Sequence, residues 1–242
     1  ISQIEPPTAY PKEWQNPALC LDWYRFTSDR TNDFAREMML TIRMEDQKVP
    51  ITTNACFSSN TPDFYKLYDL MDFVSYDNYP PIALPNEPDA VYSHAFDLDL
   101  MRGIKDQHFW VMEELSGPTG GWAPMSPAPK SGMIMGYALQ AMVRGADAVL
   151  HFRWRTALSG AEMFCHGILD HANVPNRRFL EFSELCRRVS QMGILDNTDI
   201  VSDAAIIYSP EADAALRIQP QTAAFDYMYQ LRAFHAALTR YG

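Results

Sequence analysis

A short β-rich apolar run that ends in polar or aromatic residues, followed by a helical stretch, recurs along this chain and limits its fold more than any other feature. The runs are VPITTNACF (Val49 to Phe57), DFVSYDNYPP (Asp72 to Pro81), HFWVMEEL (His108 to Leu115) and ADAVLHFRWR (Ala146 to Arg155). Apolar strands alternating with helices belong to a parallel sheet buried on both faces, with a site at the carboxyl ends of its strands. Thr61-Pro62 opens a short helix through Leu70, a second helix spans Asp89 to Ile104, and a third, with Met133, Tyr137, Gln140 and Arg144, stops at Gly145. Ahead of the first run, Ile1 to Cys20 is rich in proline and reads as an extended lead-in. From Thr27 a helix carries Phe34, Met38, Ile42 and Glu45, with Ser28 or Asp29 as cap.

After the fourth run a helix at Pro175 to Met192 is closed by Gly193, and a fifth apolar strand, DAAIIYS (Asp203 to Ser209), precedes a helix at Gln221 to Tyr241. A chain of 242 residues has the length of a whole eight-stranded β/α barrel, yet only four barrel strands are legible. The expected fold class is therefore α/β: the second half of a (β/α)8 TIM barrel over residues 1–196, then the start of a smaller, flavodoxin-like α/β domain over 197–242. The first residue is Ile1 rather than Met, so the chain is expected to be processed, truncated or a piece of something longer.

The charge balance, 20 basic against 30 acidic side chains, excludes neither an enzyme nor a binding module, but it argues against nucleic acid or an anionic membrane as partner. No apolar run has the length of a membrane helix. Cys20, Cys56, Cys165 and Cys186 form no CxxC pair, which points to thiols in a reducing compartment and a cytoplasmic location.

Chemistry concentrates at the strand ends. Glu113 sits at the carboxyl end of WVMEEL, where a carboxylate is costly to bury unless it is used or paired. A strand-end acid that faces solvent or bonds an arginine is the equal alternative. Glu114 alternates to the other side, so at most one of the two enters a site. Asp77, Asn78, Tyr79 and Asn54 can bond sugar hydroxyls or cap the next helix. Phe152 can stack on a pyranose or simply pack, and alternation puts Arg153 and Arg155 on the side opposite Phe152 and Trp154. Glu162 and His166, followed by Asp170 and His171, lack the third ligand and the spacing of a zinc site. There is no phosphate loop and no GxSxG elbow, so neither metal nor cofactor is expected.

Several of these segments, in this order, resemble glycoside hydrolase family 42, the retaining β-galactosidases. NPALCLDWYRFTSD is similar to the family's NP-x-LD-x-x-RF-x-SD stretch, and VPITTN and DFVSYDNYP to its next two strands. FWVMEE…GP…GW resembles the segment carrying its nucleophile, and RGADAVLHFRWRTALSGAEMFCHGILDH its GAD…FRWR…GAE…HG-x-LDH block. The resemblance implies Glu113 as nucleophile and Tyr79, Trp122, Phe152, Glu162 and His166 as substrate-binding residues. It also implies a β-galactoside or oligosaccharide substrate and a full-length homo-oligomer, commonly a trimer. The family's acid/base glutamate belongs to an Asn-Glu pair at an earlier strand end. The one Asn-Glu here, Asn86-Glu87, follows the second strand, so the proton donor is expected to precede Ile1 and the fragment alone to be inactive. Another retaining β-glycosidase (β-mannoside, β-glucoside or arabinoside) and a non-catalytic sugar-binding or assembly fragment are the alternatives.

Overall fold

The computed structural model describes residues 6–7, 15–56, 62–80, 90–120, 125–193 and 198–241. Its sheet has four parallel strands in chain order: β1 (Asn54–Ala55), β2 (Ser75–Asn78), β3 (Phe109–Leu115) and β4 (Ala146–Phe152). All four β-rich runs thus yield strands, trimmed to the residues that find ladder partners. Between them lie α2 (Phe64–Asp69), α3 (Ala90–Lys105) and α4 (Met133–Val143); α1 (Pro17–Glu45) precedes the sheet, and α5 (Arg177–Val189), α6 (Pro210–Ile218) and α7 (Tyr227–Tyr241) follow it. The chain divides into two compact units. One comprises residues 53–56 and 73–203, with the sheet and α3 to α5; the other comprises 1–52, 57–72 and 204–242, with α1, α2, α6 and α7.

In the sheet unit, α3 packs on β2, and α4 on β3 and β4. Phe109, Val111, Leu98, Met101 and Ile134 are sealed in this core, each worth roughly 1.5–3 kcal/mol by transfer from water. Gly145 ends α4 at a φ of 101°, the left-handed conformation a helix stop favours. β3 is not regular. Tyr76 pairs with Val111 but Asp77 pairs with Glu113, so Met112 is an extra residue in the ladder. Strict alternation would put Glu113 on the face of Phe109 and Val111. The extra residue turns Glu113 to the opposite face, with Asp77, and sends Glu114 to the helix-covered face, with Asn78 and His151.

That covered face holds a row of polar side chains across three strands. Glu114 and Asn78 have no exposed surface, and Asn78 Nδ2 donates to Glu114 Oε2 at 2.8 Å. His151 meets the Phe182 ring of α5 edge-on at 4.9 Å. Burial pushes the Glu114 carboxyl up to about 8, against the pull of the Asn78 amide and a backbone N–H. Burial likewise lowers His151 to about 4 and raises Tyr137, which also feels Glu114. The row is therefore held in its neutral forms.

In the other unit the helix expected from Thr27 starts ten residues earlier. Asn16 caps it, accepting from Ala18 N, and Pro17 occupies the first turn, so part of the expected lead-in is helical. Ser28 is no cap: its hydroxyl accepts from Asp63 N at 2.8 Å. The buried face of α1 is Ser28 and Asn32, while Phe34 and Met38 are exposed. Asp63 rather than Thr61 caps α2, accepting from Tyr65 N and Lys66 N; Thr61 lies outside the described residues. Arg25 of α1 grips Glu211 of α6 through two 2.9 Å bonds. The fifth strand is not formed: Asp203 to Ser209 joins no ladder among the described residues, and Ile207 is exposed. A β-prone run becomes a strand only where a neighbour supplies hydrogen bonds.

The Glu114 carboxyl sets a pH dependence. Its folded pKa of about 8 exceeds the ordinary 4.5, so its stabilising contribution is complete below 4.5 and is lost as pH rises through about 8. Glu114→Gln keeps an acceptor for Asn78 and removes the titration. The unfolding free energy from urea titrations should fall across that window in the wild type relative to the variant, by up to about 1.4 kcal/mol per pH unit. Parallel curves would show that Glu114 does not titrate in this way.

Candidate active site

The face of the sheet opposite Glu114 carries Asp77, Tyr79, Glu113, Leu115 and Phe152 at the carboxyl ends of β2, β3 and β4. The Tyr79 hydroxyl donates to Glu113 Oε2 at 2.5 Å. Burial first, and then this bond and the surrounding carboxylates, push the Tyr79 pKa upward, so the phenol keeps its proton and serves Glu113 as a donor. Asp77 pairs with Glu113 across the ladder. Burial and the Glu113 charge raise Asp77 to about 6, and the Asn54 amide, donating at 2.5 Å, pulls it back.

On the β4 side, the His166 ring stacks on Tyr79 with centroids 5.0 Å apart and meets Phe152 edge-on at 5.8 Å. His166 is 1% exposed. Burial, then the Arg153 charge, lower its pKa to about 4 against an opposing influence from Glu162, so the ring is neutral at ordinary pH. Arg153 bonds Glu162 and lies over the Phe152 ring, its carbon 4.2 Å from the centroid. This corrects one expectation: alternation fails to separate Arg153 from Phe152 because the ladder ends at Phe152. Glu162 captures Arg153 and Arg155 reaches the His171 carbonyl at 3.4 Å, so the donor to Glu113 is Tyr79.

Five of the six expected site residues, Tyr79, Glu113, Phe152, Glu162 and His166, thus gather in one place. Trp122 lies outside the described residues, as do Asn86 and Glu87. Sequence reasoning missed the side chains that hold the loops. Ser116 Oγ donates to Phe152 O at 2.7 Å and accepts from Gly167 N at 3.2 Å. The Thr156 hydroxyl donates to the His166 carbonyl, and His166 N donates to Pro118 O at 2.6 Å. Small hydroxylated residues flanking the aromatic strand end were the available signal. Among the described residues no three His, Cys, Asp or Glu side chains cluster as a metal site requires, and His171 Nε2 lies 2.5 Å from Met163 O.

Two carboxylates, a tyrosine donor, a neutral histidine and an aromatic wall can bind a polyol and present one ionised oxygen to an electrophilic carbon. The family profile of β-galactosidases matches residues 1–192. The chain belongs to glycoside hydrolase family 42. It is 51% identical over 231 residues to the β-galactosidase BgaA of Clostridium cellulovorans and 30% identical over 239 to a β-galactosidase of Thermus thermophilus, covering 94% of this chain in each case. Among solved family structures it matches the cold-adapted β-galactosidase of Rahnella sp. R3 (TM-score 0.89, 30% identity, 98% of this chain) and that of Halorubrum lacusprofundi (0.88, 28%, 97%). The α/β class and its parallel sheet thus agree with the barrel enzymes of family 42. The chain spans 35% and 37% of the two curated relatives and 35% and 36% of the two solved chains.

The loop clamp makes a sharp prediction. Gly167 has a φ of 110°, and a Cβ there would press on Thr156 Oγ1 and stand 2.5 Å from Leu169 O. Gly167→Ala should cost about 2 kcal/mol or more, from left-handed strain plus overpacking, read as a drop in denaturation midpoint. An unchanged midpoint would mean that the clamp yields freely.

Proposed function

We propose that the protein containing this chain hydrolyses terminal β-D-galactosides with retention of configuration, and that Glu113 is its nucleophile. The observation that carries the reading is the Tyr79–Glu113 hydrogen bond at adjacent strand ends, with Phe152, Glu162 and His166 beside it. Retention needs a nucleophile and, about 5–5.5 Å away, an acid that protonates the leaving oxygen and then activates water. In this reading Glu113 attacks the anomeric carbon and forms a glycosyl-enzyme. The Tyr79 hydroxyl stabilises the carboxylate before attack and holds its oxygen in line.

Glu162 accepts hydrogen bonds from sugar hydroxyls, its charge tempered by Arg153. Neutral His166 donates or accepts one, and Phe152 with Trp122 provides apolar walls. Asp77, the near carboxyl neighbour of Glu113, bonds Asn54 and shares the ladder position beside the nucleophile. On the family resemblance, the acid/base is assigned to a glutamate upstream of Ile1. Residues 1–196 are read as the second half of the catalytic barrel, supported by the family match over 1–192, and 197–242 as the start of the domain through which a trimer forms. A cytoplasmic location is part of the same reading.

Three results would test it. Glu113→Gln in the protein at its natural length should lower kcat by at least about 1,000-fold; retained turnover would remove Glu113 from the mechanism. Tyr79→Phe deletes a hydrogen bond to a charged group, worth about 1.5–3 kcal/mol, and should slow turnover roughly 10- to 100-fold. Residues 1–242 alone should leave a nitrophenyl galactoside uncleaved, whereas full turnover would place a proton donor within them. A panel of nitrophenyl glycosides separates galactosidase from mannosidase, glucosidase and arabinosidase.

A further inference from the structure

We propose that Asn54, at the carboxyl end of β1, is a specificity-determining residue: it binds a hydroxyl of the leaving group's sugar, and Cys56 lies at the edge of the same subsite. The inference rests on the galactosidase reading and concerns the β1 and β2 side of Glu113, to which that reading assigns no contact with the leaving group. Phe152, Glu162 and His166, the side chains suited to holding the galactosyl unit, all come from β4 and the loop after it. A sugar held there lies on the β4 side of Glu113. Its glycosidic oxygen departs from the face of the anomeric carbon opposite the nucleophile. The sheet order β1-β2-β3-β4 leaves β2 and β1 as the strand ends on the free flank.

The residues on that flank are built for a polyhydroxyl ligand. Asn54 pairs with Ser75 in the ladder, on the same face as Asp77 and Glu113, and its side chain is exposed. One of its two amide N–H groups is spent on Asp77 at 2.5 Å, which fixes the orientation of the amide. The second N–H and the carbonyl oxygen are then a donor and an acceptor side by side, the pair that vicinal hydroxyls satisfy. Asp77 is the positioning residue: Asn54 bonds its Oδ2, while its Oδ1 is buried and unbonded among the described residues. Cys56 is exposed and free. It follows the last residue of β1, two positions beyond Asn54, and its thiol pKa is raised by burial and then by the charges of Asp77, Glu113 and Asp97.

A contact to the leaving sugar affects only substrates that have one. In the protein at its natural length, Asn54→Ala should lower kcat/KM for a galactosyl disaccharide about tenfold more than for a nitrophenyl galactoside. Equal losses on both substrates, or none, would overturn the inference while leaving the galactosidase reading intact. A wild-type protein that cleaves neither substrate would overturn both. Binding is tested without turnover in the Glu113→Gln protein, by iodoacetamide labelling of Cys56 read by peptide mass spectrometry, with the exposed Cys186 as reference. An uncleaved galactosyl disaccharide should slow labelling of Cys56 severalfold, and galactose alone should not. Equal protection by both sugars, or by neither, would place the leaving sugar elsewhere.

Discussion

The ladder between β2 and β3 carries one residue more on β3 than on β2, and the rest of the sheet unit depends on where that residue falls. Met112 is unmatched between the Tyr76–Val111 and Asp77–Glu113 pairs. Side chains in a strand alternate with a period of two, so a single inserted residue exchanges the faces of everything after it. Glu113 is delivered to the open face with Asp77, Tyr79 and Phe152. Glu114 is delivered to the covered one, where it must be neutral and bonded to Asn78. Two adjacent glutamates with nearly the same sequence context thus acquire opposite chemistry: one half-exposed beside a phenol donor, the other sealed under helices with its pKa near 8.

The open face is organised by how each charge is answered. Arg153 pairs with Glu162, and its charge joins burial in lowering the His166 pKa. Tyr79 links the two halves of the site, donating to Glu113 through its hydroxyl and stacking on His166 through its ring. In the proposed reading, this neutral donor stabilises the Glu113 carboxylate without an ion pair that the attacking oxygen must break. The loops that hold this arrangement are fastened by backbone bonds between the β4 end and residues 166–169, with Ser116 and Thr156 closing the remaining carbonyls and N–H groups.

Much of this was legible in the residues. The four β-rich runs, the helix stop at Gly145, and the gathering of Tyr79, Glu113, Phe152, Glu162 and His166 followed from pattern and resemblance together. Features set by tertiary partners were not legible. Asp203 to Ser209 has the composition of a strand, but no neighbour among the described residues gives it a ladder. The start of α1 at Asn16-Pro17, an N-cap followed by a first-turn proline, is masked in the sequence by the prolines around it. The same signature, Ser209-Pro210-Glu211 with first-turn acids, opens α6 directly after a run of strand-like composition. The inserted Met112 left no mark in composition, since only the pairing with β2 reveals it. Alternation separates Glu113 and Glu114 onto opposite faces, but only the pairing with β2 decides which face each takes.

The central proposal is that Glu113, turned by that insertion to the face away from the helices and bonded by Tyr79, forms the bond to the sugar. A slow-turnover 2-fluoro galactoside with a good leaving group, incubated with the protein at its natural length, arrests a retaining enzyme at its glycosyl-enzyme stage. Peptide mass mapping should find the fluorogalactosyl mass on the peptide carrying Glu113. An adduct on Asp77, Glu114 or Glu162, or rapid release of product with inverted configuration and no adduct, would contradict the account.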